Sequence, residues 1–128
     1  MAASNPGHTW LELVKKNPSS EFSEAFAPDV LLEASVLRTG LIGTSAIGQF
    51  FSATSGMYDC IDFTYESNDG NKTYLEWEGK ALGDDVAGST TLTRNDAGRI
   101  VNIRLHHRPF PMVVKISAEL AKRLDGKV

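Results

Sequence analysis

The amino-acid sequence predicts an α+β fold in which helices pack on one face of a curved antiparallel sheet. Two observations carry this reading. Between Cys60 and Arg108, four successive runs favour alternating side-chain character, the period-2 signature of half-buried strands, and clusters of Gly, Asn and Asp separate them. Outside that block, apolar residues recur at helical i, i+3, i+4 spacing, mostly ahead of it. Segregated helices and strands indicate α+β rather than an alternating parallel layout.

The elements follow in order. Thr9-Trp10-Leu11-Glu12 has the spacing of a capping box, and Trp10, Leu13 and Val14 share a face of the short helix it opens. Asn17-Pro18 stops that helix, because the residue before proline avoids the α region. A second short helix is expected from Ser19 or Ser20, with Phe22, Ala25 and Phe26 on one side, ending before Pro28. Asp29 to Leu37 is rich in Val and Leu and reads as an edge strand. Gly43 or Thr44 caps a third helix whose buried stripe is Ile47, Phe50 and Phe51, despite a cost of about 1 kcal/mol for Gly48 in its interior.

The meander comes next. Cys60 to Ser67 sets Ile61, Phe63 and Tyr65 against Asp62, Thr64 and Glu66, and Asn68-Asp69-Gly70-Asn71 turns the chain. Thr73 to Ala81 sets Leu75 and Trp77 against Tyr74, Glu76 and Glu78. Gly83-Asp84-Asp85 is a turn, Val86 to Arg94 a Thr-rich strand, and Asn95-Asp96-Ala97-Gly98 a hairpin. In the fourth strand, Arg99 to Arg108, Val101, Ile103, Leu105 and His107 oppose Asn102, Arg104 and His106. A closing helix is expected from Ser117, with Leu120 and Leu124 on its buried side.

Composition bounds the function classes. The chain has 128 residues, enough for one domain over 1–128, with 13 Lys and Arg against 16 Asp and Glu, a net charge of −3. At that length roughly two-thirds of the unfolded chain's surface is buried on folding, so a core forms without disulfides or a structural metal. The lone Cys60 can form no intrachain bridge. Met1 to Gly7 lacks a basic segment followed by an apolar one, so a cytoplasmic location is the expectation. The uncharged stretch Thr39 to Tyr58 is interrupted by four glycines and does not read as a membrane span. Asn71-Lys72-Thr73 has the spacing of a glycosylation sequon but is more simply part of a turn. The only basic cluster is Arg104 to Arg108, too small to neutralise many phosphates, so nucleic acid is not an expected partner.

Four segments read together resemble the nuclear transport factor 2-like superfamily, the cystatin-like cone fold that includes SnoaL-like polyketide cyclases and ketosteroid isomerases. They are Phe26-Ala27-Pro28-Asp29-Val30, Gly43-Thr44-Ser45-Ala46-Ile47, Asp96-Ala97-Gly98-Arg99-Ile100 and Arg108-Pro109. The resemblance spans about Phe22 to Pro109. It implies a curved antiparallel sheet wrapped around the N-terminal helices, a pocket inside the cone, and an outer sheet face available for a homodimer. Registered on the steroid isomerase pattern, that family's catalytic carboxylate falls at Ala34 and its acidic hydrogen-bond donor at Thr90. Both functional acids are therefore missing, and a steroid-isomerase mechanism lacks its carboxylate.

Apolar parity turns Ile61, Phe63, Tyr65, Leu75, Trp77, Ile103, Leu105 and His107 inward and Glu76, Glu78, Arg104 and His106 outward. The expected ligand contacts are Trp77, Thr90, Ala34, Phe63 and Ile103 from the sheet and Trp10 from the first helix. His107 is the candidate acid or base, weighed against a histidine hydrogen-bonded at the core rim, and Tyr65 the candidate orienting donor, weighed against packing. Adjacent strand residues point to opposite faces, so His106 and His107 do not chelate one ion, and no metal site is expected. Gly43 to Gly48 lacks the pattern of a nucleophile elbow or a phosphate loop, and Cys60 has no evident neighbouring base. Glu76 and Glu78 are expected to pair with Arg104 across strands or across a dimer.

Three functions fit these expectations. The first is a cofactor-independent proton-transfer enzyme of isomerase, dehydratase or cyclase type acting on a small, largely apolar organic molecule. The second is a non-catalytic binding domain for such a ligand, and the third a protein-interaction module.

Overall fold

The computed structural model describes residues 5–124. Helices α1 (His8–Lys15) and α2 (Ser20–Glu24) lead into strand β1 (Phe26–Ala34) and the short β2 (Leu41–Ile42). Helix α3 (Thr44–Ser55) precedes β3 (Tyr58–Asp69), β4 (Lys72–Ala81), β5 (Asp84–Arg94) and β6 (Ile100–Arg108), and α4 (Phe110–Arg123) closes the chain. The strands form one six-stranded curved sheet in the order β2-β1-β6-β5-β4-β3, antiparallel except where β1 runs parallel to β6. The α+β class and the meander are as the sequence predicts.

Several element boundaries differ for identifiable reasons. No capping box forms at α1: Thr9 lies inside the helix, and Gly7, at φ 71°, precedes it with its N–H donated to Glu66 Oε1 at 2.8 Å. Glycine fits there twice, since a side chain at Gly7 would also collide with the Phe63 ring. Helix α2 stops at Ala25 rather than beyond Phe26, because the Ala25 carbonyl accepts the Ile100 N–H at 2.9 Å and β6 captures the chain as a strand. Pro28 then sits inside β1, within the register shift between Phe26 and Leu31. That strand is not an edge, since β2 pairs on its other side. Helix α4 begins at Phe110 instead of Ser117, because Pro111 in its first turn removes only an N–H that would lack a partner there.

Helices α1 and α3 cover the concave face. Trp10 meets Phe26 and Phe51 edge-on, with ring centres 6.5 and 5.5 Å apart, and Phe22 and Phe26 lie 4.8 Å apart. Ile47, Phe50, Leu32, Ile103 and Leu120 are almost wholly buried, each contributing about 1.5–3 kcal/mol of apolar burial. On the opposite face, Arg104 pairs with Glu33 of β1 at 3.0 Å, not with Glu76 or Glu78, because β5 separates β6 from β4.

Candidate functional site

The site begins as one lateral row across the sheet. Phe63, Trp77, Gly88 and His107 are direct partners along β3, β4, β5 and β6. Gly88 lets that row close up: a side chain on it would run into the Trp77 indole. The indole meets the His107 ring edge-on at 5.3 Å. Tyr58, at the start of β3, stands perpendicular to Trp77 at 5.8 Å and brings its hydroxyl to 2.9 Å from His107 Nε2.

Between this row and helices α1 and α3 lies a cavity of about 400 Å³, within the usual size range of small-molecule sites. Trp10, Leu11 and Val14 wall it from α1, Phe50 and Phe51 from α3, and Ile61, Phe63, Trp77, Thr90 and Leu105 from the sheet. Lys15 and Cys60, both exposed, also border it. Among the described residues no carboxylate lines it. A more open groove of about 800 Å³ lies between α2, α3 and α4, and among its described lining residues the one titratable group, Arg123, is held by Glu119 and the Ala53 carbonyl. The smaller cavity is the one that brings a largely buried histidine and tyrosine together.

His107 is 8% exposed and held from three directions. Its backbone N–H donates to Ser35 Oγ at 2.8 Å, the same hydroxyl lies 3.4 Å from Nδ1, and Tyr58 Oη holds Nε2. Burial lowers the His107 pKa to about 4, with a smaller contribution from the charge of His106, so the ring is neutral at neutral pH. Burial likewise pushes the Tyr58 phenol well above its usual range, which keeps its proton in place. The cavity thus offers a neutral base joined to a neutral hydroxyl, set in an apolar wall.

Among the sequence-predicted residues, Trp10, Phe63, Trp77, Thr90 and His107 line the cavity. Tyr65 does not: it is 51% exposed on the outer face. The cause is a register shift, since Phe63 pairs with Trp77 but Tyr65 pairs with Glu76, so one extra residue on β3 reverses the parity. Ile103 is fully buried in the core rather than in the lining. Ala34 is also outside the lining; it ends β1 opposite Leu105, and its neighbour Ser35 reaches His107. His106 is exposed on the opposite face from His107.

Tyr58 and Ser35 are the residues that sequence reasoning missed. Tyr58 has the wrong parity relative to Ile61 and Phe63, and a second register shift, between Tyr58 and Cys60, turns it inward. Ser35 follows β1 in a turn and meets His107 only through the parallel pairing of β1 with β6. Among the described residues, no group of three or more His, Cys, Asp or Glu side chains is placed to hold a metal ion. No helix among them is long and apolar enough to cross a membrane.

No protein-family model matches the chain, and no curated protein matches it. Solved structures do. A cystatin-like-fold protein from Silicibacter pomeroyi superposes with a TM-score of 0.81 at 19% identity, over 91% of this chain and 82% of that one. A steroid delta-isomerase from Pseudomonas aeruginosa gives 0.80 at 18% identity, over 91% and 87%. An NTF-2 like protein of unknown function from Burkholderia xenovorans gives 0.63 at 13% identity, over 79% and 78%. At these identities the likeness shows the fold alone, a cystatin-like α+β cone. Function has to be argued from the site, because this kind of scaffold carries sites of unrelated chemistry.

Proposed function

We propose that the protein is a cofactor-independent proton-transfer enzyme of isomerase type, acting on a small, largely apolar molecule with a carbonyl oxygen beside an acidic C–H. The observation that carries this reading is the 2.9 Å link between Tyr58 Oη and His107 Nε2 in a cavity lined mostly by apolar side chains. Apolar walls select the ligand's body, and the Tyr58–His107 pair orients it. His107 is neutral at neutral pH and accepts the ligand's proton through Tyr58, after which the ligand is reprotonated at a different atom. Likeness in fold to a steroid delta-isomerase supports the general class, although the carboxylate of that mechanism has no counterpart among the described lining residues.

The test is exchange of α-protons in D2O, followed by NMR, for acetophenone, cyclohexanone and α-tetralone. Acceleration by the protein, lost about 10²-fold in His107→Ala, is the expected result. A second reading, a non-catalytic binding domain, is favoured by the lack of a carboxylate among the described lining residues. It predicts ketone binding without exchange.

The outer sheet face supports a further proposal, a homodimer. Ala87, Ser89, Thr91 and Thr93 make a strip of small side chains along β5, with Glu76 and Glu78 on one flank and Arg104, His106 and Arg108 on the other. A two-fold axis parallel to β5 sets the acidic flank of one copy over the basic flank of its partner. Sedimentation as a 13.9 kDa monomer at micromolar concentration would remove this proposal.

A further inference from the structure

We propose that Ser35, His107 and Tyr58 form a proton relay joining solvent to the cavity, with Ser35 as the positioning residue that vents the proton. The relay rests on the proton-transfer reading and supplies the route by which the proton leaves. Ser35 is exposed, His107 buried, and Tyr58 borders the cavity, so the chain of contacts runs from outside to inside. The inner link is Tyr58 Oη to Nε2 at 2.9 Å, and the outer link is Nδ1 to Ser35 Oγ at 3.4 Å. Ser35 is fixed on both sides of its hydroxyl: its N–H donates to the Leu105 carbonyl at 2.9 Å and its Oγ accepts the His107 N–H at 2.8 Å.

A proton accepted at Nε2 while Nδ1 keeps its own would leave an imidazolium in a buried site. Burial strongly disfavours that ion. The relay avoids it with atoms in balance. The ligand's proton moves to Tyr58 Oη as the phenol proton moves to Nε2; the Nδ1 proton moves to Ser35 Oγ as the serine proton moves to water, and the C–H electron pair stays on the ligand as its enolate until a proton is added at a different atom. Each residue ends with the number of hydrogens it began with, and the imidazole has only changed tautomer. In the starting state the phenol donates to Nε2 and Nδ1–H donates to Ser35. In the final state Nε2–H donates to the phenol oxygen and the serine hydroxyl donates to Nδ1.

The experiment is solvent exchange of the His107 ring N–H, measured by NMR on protein labelled with ¹⁵N-histidine, with His8→Gln and His106→Gln used for assignment. No ligand is needed, so the outcome is independent of ketone turnover. Ser35→Ala should slow exchange by about tenfold, while Ser35→Thr, which keeps the hydroxyl, should restore it. Tyr58→Phe should leave the rate within about twofold, because the solvent end of the route is intact. Exchange in Ser35→Ala as fast as in the unmodified protein, or faster, would overturn the relay. So would Ser35→Thr exchanging as slowly as Ser35→Ala, or Tyr58→Phe slowing exchange as much as Ser35→Ala. Loss of ketone exchange with the serine effect intact would instead count against the proposed reaction alone.

Discussion

Strands β6 and β3 both contribute to the cavity wall, but beside the cavity β6 keeps its register, its one shift against β5 lying at Val101, whereas β3 shifts within the wall itself. β6 is hydrogen-bonded on both sides, to β5 and to β1, and its pairing with β5 runs unbroken from Asn102 to Arg108. Ile103, Leu105 and His107 therefore face inward in strict alternation, with Arg104 and His106 outward. β3 is one of the sheet's two edge strands, paired only with β4, and shifts register twice, between Tyr58 and Cys60 and between Phe63 and Tyr65. A strand held on both sides cannot gain a residue without disturbing two ladders, whereas an edge strand disturbs one. Here the first shift turns Tyr58 toward His107, and the second leaves Tyr65 in solvent.

The contrast can be broken most forcefully through stability. Ile103→Ala on β6 should cost about 2–5 kcal/mol, a cavity in a filled core, while Tyr65→Ala on β3 should stay within about 0.5 kcal/mol. Urea unfolding of both variants checks this. A Tyr65 cost as large as that of Ile103 would mean the β3 register is wrong.

The next effect concerns pH. An unfolded chain protonates its histidines near pH 6.5, but His107 in the fold stays neutral until about pH 4. Across that window the unfolded state binds more protons, so stability falls as pH drops. The loss attributable to His107 accumulates to about 3 kcal/mol near pH 4 and then levels off. His107→Gln should flatten the decline between those limits when unfolding is measured across them; an unchanged slope would show that the ring is not buried neutral.

A smaller effect separates the two tyrosines of β3. Tyr58→Phe leaves a buried ring nitrogen without its partner and should cost about 1–3 kcal/mol. Tyr65→Phe should cost less than about 0.5 kcal/mol. Thermal unfolding of the pair sharpens the assignment of the two register shifts.

These differences also explain how much was legible in the sequence. Alternation on β4 and β6 identified Trp77 and His107, because those strands keep their register around both residues. The same rule applied to β3 selected Tyr65 and passed over Tyr58, since a register shift at an edge strand leaves no periodic mark. Ser35 was beyond reach for another reason: its contact with His107 spans 72 positions and depends on a parallel pairing that no local pattern encodes. The late start assigned to α4 had a local cause, Pro111, tolerated in a first turn but read as the end of any helix.

The central claim is that His107 and Tyr58 form the polar centre of the cavity while their look-alikes, His106 and Tyr65, stand outside it. The most direct measurement is α-proton exchange and binding of acetophenone by four variants, His107→Ala, His106→Ala, Tyr58→Phe and Tyr65→Phe. His107→Ala is expected to lose exchange by about 10²-fold and Tyr58→Phe by about tenfold or more, with the other two unchanged. Equal losses at His106 and His107, or a larger loss at Tyr65 than at Tyr58, would contradict the account.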